Sequence, residues 1–306
     1  MSSLSQAAAD FIQHLTAVRR LSAHTIDSYR RDLRLLLADA GDTIDRIDSR
    51  YLRRLLTEQA RRRMSPATMA RRLSTWRMFF DYLQKNGQAA GNPALGQKAP
   101  KKPARLPRAL TPDEAAKLMD TVADGKKWQV LRDAAMFELL YASGLRVSEL
   151  TALNVNDLVG DMVLVQRGKG GRGRVLPAGS VAKTAVQAWL SVRATWASER
   201  ETALFVNHRG QRLSVRTVQQ RLAQRAALAG FAGRVSPHVL RHSCASHFLQ
   251  SSGDLRATQD LLGHQDIAST QIYTRLDFQN LAQIYDRAHP RADRSAATKR
   301  QPTKQH

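Results

Sequence analysis

Apolar and polar positions alternate with the period of an α-helix through the first 95 residues. Ile26, Tyr29, Leu33, Leu36 and Leu37 share one face of a helix that follows Ser22 as its cap, and Leu52, Leu55 and Leu56 form a second stripe. Ser65-Pro66 supplies a cap and a first-turn proline ahead of Met69, Leu73, Trp76, Phe80 and Leu83, and Gly87 stops that helix. Trp76, Phe79 and Phe80 therefore read as core rather than as platforms for stacking bases. Arg53, Arg54, Arg61 to Arg63, Arg71 and Arg72 lie on the opposite faces, which gives a helical module with basic outer surfaces.

The periodicity breaks at residues 96–108, Gly-Gln-Lys-Ala-Pro-Lys-Lys-Pro-Ala-Arg-Leu-Pro-Arg. Three prolines, five positive charges and no acid predict an extended basic linker. Thr111-Pro112-Asp113-Glu114 then carries an N-cap, an N1 proline and a capping-box glutamate, which opens a second folded unit over 109–290. That unit reads as mainly α with a small β-hairpin. Met162 to Val165 and Val175-Leu176 flank a Gly-rich connection that carries Lys169. Residues 291–306, rich in Lys, Arg, Thr and Gln, predict a disordered basic tail.

Charge sharpens this picture. The formal net charge is +22, and the excess is spread over the chain: +7 in 1–95, +5 in 96–108, +6 in 109–290 and +4 in 291–306. Such a spread suits a protein that wraps a polyanion, whereas a membrane-surface binder concentrates its charge in one amphipathic segment. No stretch approaches the roughly 20 apolar residues of a membrane span, and no secretory leader pattern opens the chain. Cys244 is the single cysteine, so no intrachain disulfide can form, and its surroundings make it a packing residue. A soluble, cytoplasmic nucleic-acid-binding protein is the expectation.

Six residues can carry chemistry together: Arg146, Lys169, His238, Arg241, His264 and Tyr273. They occur in Tyr141-Ala-Ser-Gly-Leu-Arg146, Gly168-Lys169-Gly170-Gly171, His238-Val-Leu-Arg241-His242, Leu262-Gly263-His264 and Thr270-Gln-Ile-Tyr273-Thr274. Two guanidinium groups match the non-bridging oxygens of one phosphate and stay charged. Ser236-Pro237 reads as the start of a helix, so His238 and Arg241 share one face near an end that favours an anion. Tyr273 is then a candidate nucleophile at phosphorus, His238 its base, Lys169 the acid for a leaving alkoxide and His264 a hydrogen-bond donor to phosphate. Glu149 either orients Arg146 or is an exposed helix charge.

No cofactor is implied. The Lys169 segment lacks both the first glycine and the Ser/Thr of a nucleotide-binding Walker loop, and Val239 stands where a zinc protease motif beginning at His238 would need glutamate. His242 and His247 read as hydrogen-bonding or packing residues of the helix.

In order and local sequence the six residues resemble the signature of the tyrosine recombinases, the integrase family, and the resemblance covers most of the chain. It implies an N-terminal SAM-like helical core-binding domain and a mixed-α catalytic domain with a small sheet, which together close as a clamp on duplex DNA. It also implies Lys169 on a β2–β3 hairpin and a 3′-phosphotyrosyl intermediate formed without metal or ATP. The stretch Thr274 to Ala292 is most similar to the chromosome-dimer-resolving branch, apart from Arg275, where histidine is expected. That branch implies a dif-like site, the sister recombinase XerD in a heterotetramer, the translocase FtsK as regulator, and docking of Leu281 to Ala288 on a neighbouring protomer. The stripe Leu281, Ile284 and Tyr285 would equally serve packing within the chain. A type IB topoisomerase, a DNA-binding module without chemistry and a metal-dependent nuclease are the alternatives.

Overall fold

The computed structural model describes residues 3–19, 21, 23–38, 40, 43–100, 109–123, 125–166, 173–233, 235–254 and 258. The chain divides into two compact units, residues 1–105 and 106–306.

Among its described residues the first unit has four α-helices, α1 (Leu4–Ala17), α2 (Ala23–Leu37), α3 (Ser49–Arg61) and α4 (Pro66–Lys85), with a short 3-10 turn at Ile44–Arg46. Local chemistry sets their starts: Ser3, Asp48 and Ser65 each accept a hydrogen bond from a first-turn backbone N–H, and Pro66 has no N–H to leave unpaired. Ser22, expected to cap α2, lies outside the described residues. Leu33, Leu36, Leu52, Leu73, Trp76, Phe79, Phe80 and Leu83 are buried in one core with Phe11 and Leu15 of α1. Phe11 and Phe79 meet with ring centroids 5.4 Å apart and tilted, the arrangement aromatic quadrupoles favour. The polar tips of two core aromatics are satisfied. Trp76 Nε1 donates to the Asp32 carbonyl at 3.1 Å, and the Tyr51 hydroxyl donates to the Leu36 carbonyl at 2.8 Å.

The arginine faces are more varied than the sequence predicts. Arg53, Arg54 and Arg61 to Arg63 are exposed. Arg71, also exposed, and the largely covered Arg72 reach toward the buried Asp32 of α2. Arg71 hydrogen-bonds its carboxylate, which also accepts from the Thr75 hydroxyl, and Arg72 Nε lies 3.5 Å from it. Because an unpaired carboxylate in an apolar core is costly, α4 has to supply cations at these positions.

The second unit contains α5 (Pro112–Asp120), α6 (Lys127–Ala142), α7 (Val147–Ala152), α8 (Ser180–Arg193), α9 (Val215–Leu228) and α10 (Pro237–Ser252). A three-stranded antiparallel sheet, β1 (Leu158–Val159), β2 (Met162–Val165) and β3 (Arg174–Pro177), has the order β1-β2-β3. The expected hairpin is β2–β3, with Val163 opposite Leu176 and Leu164 opposite Val175. β1 is an addition that its two residues do not announce in the sequence.

The capping box at Thr111 and Glu114 forms as predicted. Helix α6 is buried nearly all round, with Met136, Phe137, Leu139, Leu140 and Tyr141 inside the core, and it packs against α5, α8, α9 and α10. Its far end therefore has little freedom, and the next residues begin the candidate site. Among the described residues no helix is long and apolar enough to cross a membrane.

Candidate functional site

The segment Tyr141-Ala-Ser-Gly-Leu-Arg146 leaves α6 and enters α7, and nearly every residue in it is tied down. The Tyr141 hydroxyl and His247 Nδ1 of α10 are 2.6 Å apart. His247 Nε2 lies 2.8 Å from the Leu110 carbonyl, which can only accept, so Nε2 carries the proton and Nδ1 accepts from Tyr141. Burial holds the His247 pKa below its usual range and pushes the Tyr141 phenol up, so both are neutral at physiological pH. Ser143 donates to the Pro177 carbonyl of β3 at 2.8 Å. Gly144 turns the chain with φ of 55°, the left-handed region glycine tolerates, and Leu145 is fully buried.

Arg146 emerges from this anchored turn as the N-cap residue of α7. Glu149, three residues on, reaches back to it: Oε2 accepts from the Arg146 backbone N–H at 2.8 Å, and Oε1 accepts from Arg146 Nη1 at 2.9 Å. Arg174 of β3 closes on the same carboxylate with both terminal nitrogens, Nη1 to Oε1 at 2.9 Å and Nη2 to Oε2 at 2.8 Å. Burial alone would raise the Glu149 pKa. The hydrogen bonds from Arg174 and from Arg146, with the Arg174 charge, outweigh it and hold the group down to about 2. Glu149 is thus a buried orienting group and not an exposed helix charge, which settles the two readings its sequence position left open.

Arg241 arrives from the other direction. Ser236 caps α10 by accepting from the Val239 N–H, and Pro237 occupies its first turn, as the sequence predicts. His238 in that turn is exposed, whereas Arg241 is buried and donates from Nη1 to the carbonyl of Gly144, two residues before Arg146. Burial first, and the positive charge of Arg146 second, lower the Arg241 pKa to about 10, which leaves it charged at neutral pH. The fold therefore gathers Arg146, Arg174 and Arg241 around a single carboxylate. The surplus is positive, set on well-packed elements, and suited to an anion with several oxygens such as a phosphate diester.

Of the six candidate residues, Arg146, Arg241 and His238 are described. Lys169, between β2 and β3 in sequence, His264 and Tyr273 lie outside the described residues, as do residues 101–108 of the expected linker and the C-terminal stretch. Residues 96–100 are described, and Gln97 among them is buried in the first unit with its side-chain N–H donating to the Ser49 carbonyl at 3.1 Å, so the extended linker begins later than the sequence predicts. His247 is the hydrogen-bonding residue expected and Cys244 is buried, whereas His242 is exposed on α10. Sequence reasoning missed Arg174. A charged residue opening a strand gives no signal until its carboxylate partner is known.

Comparison with known proteins adds the context. The profile of the Phage integrase family matches residues 108–280, and that of the phage integrase N-terminal SAM-like domain matches residues 8–87. The chain is 47% identical over 293 residues to Tyrosine recombinase XerC of Xanthomonas campestris pv. campestris strain B100, covering 94% of this chain and 89% of that relative. It is 48% identical over 290 residues to Tyrosine recombinase XerC of Alcanivorax borkumensis, covering 93% and 94%. Among solved structures, a lambda integrase dimer bound to a COC' core site shares the fold. The TM-score is 0.69 at 19% identity, over 89% of this chain and 100% of that one.

Proposed function

Since the chain belongs to the phage integrase family and is a tyrosine recombinase, an enzyme of site-specific DNA recombination, we propose that it cuts and rejoins one DNA strand at a time through Tyr273. Arg146 and Arg241 hold the two non-bridging oxygens of the scissile phosphate. The observation that carries this reading is their convergence: Arg241 donates to the turn that presents Arg146, while Glu149 fixes Arg146 from behind. The Tyr273 oxygen attacks phosphorus as its proton passes to His238. The P–O bond to the 5′ oxygen breaks, Lys169 protonates that oxygen, and a 3′-phosphotyrosyl ester and a free 5′-hydroxyl remain. His264 donates a hydrogen bond to the phosphate.

The energetics favour this division of labour. A phenol with a pKa near 10 costs about 4 kcal/mol to ionise at pH 7, an amount that a neighbouring base and two guanidinium groups can offset. The alkoxide is a far poorer leaving group than phenolate, so the acid belongs on the departing side. One phosphodiester is exchanged for one phosphotyrosyl ester, so religation to a new 5′-hydroxyl needs no ATP.

The proposal extends to the setting. Residues 1–95 bind the core of the duplex site, 96–108 follow its phosphates, and 109–290 carry the chemistry. The substrate is a nearly palindromic, dif-like duplex. XerD is the partner in a heterotetramer, FtsK the regulator, and the reaction resolves chromosome dimers in the cytoplasm before division. The XerC names of relatives at 47–48% identity support this branch.

The test is a nicked suicide duplex that traps the covalent adduct, followed by mass spectrometry of the modified peptide. The adduct is expected on Tyr273, and Tyr273→Phe should abolish it while duplex affinity stays within about twofold, since one hydroxyl adds little to a charge-dominated interface. An adduct elsewhere, or equal loss of binding and adduct, would overturn the assignment. Strand exchange between two duplexes separates a recombinase from a topoisomerase that only swivels.

A further inference from the structure

We propose that Arg174, at the start of β3, is a positioning residue for strand cleavage: by gripping Glu149 it keeps the Arg146 guanidinium fixed and available to the phosphate. The inference rests on the recombinase reading above and concerns a residue to which that reading gives no part.

Glu149 and Arg146 set up a charge conflict. Glu149 sits three residues after Arg146 and is almost fully buried, its side chain only 4% exposed. Left to itself, this carboxylate would take the planar fork of Arg146 with both oxygens, as carboxylate and guanidinium prefer. Arg146 would then be neutralised and turned away from an incoming anion. Arg174 prevents this by making the two-pronged pair itself, at 2.9 and 2.8 Å. Each Glu149 oxygen then holds two donors, and among the described residues Arg146 is left with a single side-chain hydrogen bond, from Nη1. The Arg146 side chain remains 31% exposed, so it can meet a ligand.

Arg174 is poorly placed to touch phosphate itself. Both of its terminal nitrogens are committed to Glu149 and its side chain is 16% exposed. Its backbone is also held, because Arg174 pairs with Val165 across the β2–β3 ladder, and β3 is tied to the end of α6 through Ser143 and Pro177. Arg174, Glu149 and Arg146 thus form a chain of contacts from a rigid strand to the phosphate-facing guanidinium. Removing a group that orients a metal ligand from one contact away typically costs about 10- to 100-fold, and Arg174 stands in the same relation to the guanidinium that it orients.

The test uses the full-length protein and single-turnover adduct formation on the nicked suicide duplex. Arg174→Ala should slow adduct formation about 10- to 100-fold, with duplex Kd changed no more than about twofold, because Arg174 reaches no phosphate. On an Arg146→Ala background the same change should add less than about twofold, since the group that Arg174 serves is gone. Arg174→Lys, which keeps the charge and loses the fork, should recover part of the rate.

A wild-type rate for Arg174→Ala would overturn the proposal. So would a loss that multiplies in full with Arg146→Ala, or a loss of duplex affinity as large as the loss of rate. Should Arg174→Ala fail to fold, Arg174→Lys carries the test: folded and as fast as wild type, it too overturns the proposal. Absence of any adduct in the wild-type protein would instead count against the recombinase reading, and this inference would fall with it.

Discussion

Glu149 shows how one carboxylate organises charge at this site and how pH should expose it. Its folded pKa of about 2 lies below the ordinary 4.5, so its ionised form is favoured by folding. The stabilisation it brings is fully present above about pH 4.5 and is lost as pH falls toward 2. Glu149→Gln should therefore be less stable than wild type at pH 7, by roughly 3–5 kcal/mol, the usual cost of leaving buried charges uncompensated. The gap should close as pH falls from about 4.5 to 2, because protonation makes the wild-type carboxyl as neutral as the amide. Denaturant titrations at pH 7 and pH 3 decide it; a gap independent of pH would show that Glu149 acts through packing. The sequence brought this residue to notice but could not choose its role, because its burial depends on Arg174, far along the chain on β3. Tyr141, Ser143 and Gly144 were visible only as neighbours of Arg146, and their partners His247, Pro177 and Arg241 all come from elsewhere in the fold.

At the scale of elements, what the sequence reveals is what local chemistry decides. Ser65-Pro66, Thr111-Pro112 with Glu114, and Ser236-Pro237 each start a helix where expected, since a cap is satisfied within its own first turn. The β2–β3 hairpin was equally legible from its apolar runs and glycines. Strand β1 was not, because two residues carry no period and are defined only by their pairing with β2. The α6–α7 turn is the element on which the site depends most, and Gly144 is its weak point. Gly144→Ala forces a Cβ into left-handed backbone, which costs roughly 1–2 kcal/mol, and shifts the carbonyl that Arg241 contacts. Denaturant midpoints should fall accordingly, and single-turnover adduct formation should drop by more than duplex affinity does. If the two fall together, the turn contributes to folding alone.

Over the whole molecule, the dominant property is the charge of +22 and its spread along the chain. An interface that neutralises 6–10 phosphates loses roughly 1,000- to 100,000-fold in affinity between 50 and 200 mM salt. Duplex titrations of the full-length protein should show a slope of that order; a flat profile would mean that the arginines mainly solubilise the surface. This much could be read from composition, whereas the gathering of three arginines about one acid could not, since only tertiary packing brings α7, β3 and α10 together.

The backbone of Leu110 is held from both sides, its N–H by Ser243 at 2.8 Å and its carbonyl by His247 at 2.8 Å. Leu110 follows the basic stretch 96–108 almost directly. Those two bonds act as a cleat that fastens the backbone just ahead of α5 to the middle of α10, beyond Arg241. Leu110 and the helix that bears Arg241 are thus one mechanical piece, and a displacement of the first is felt by the second.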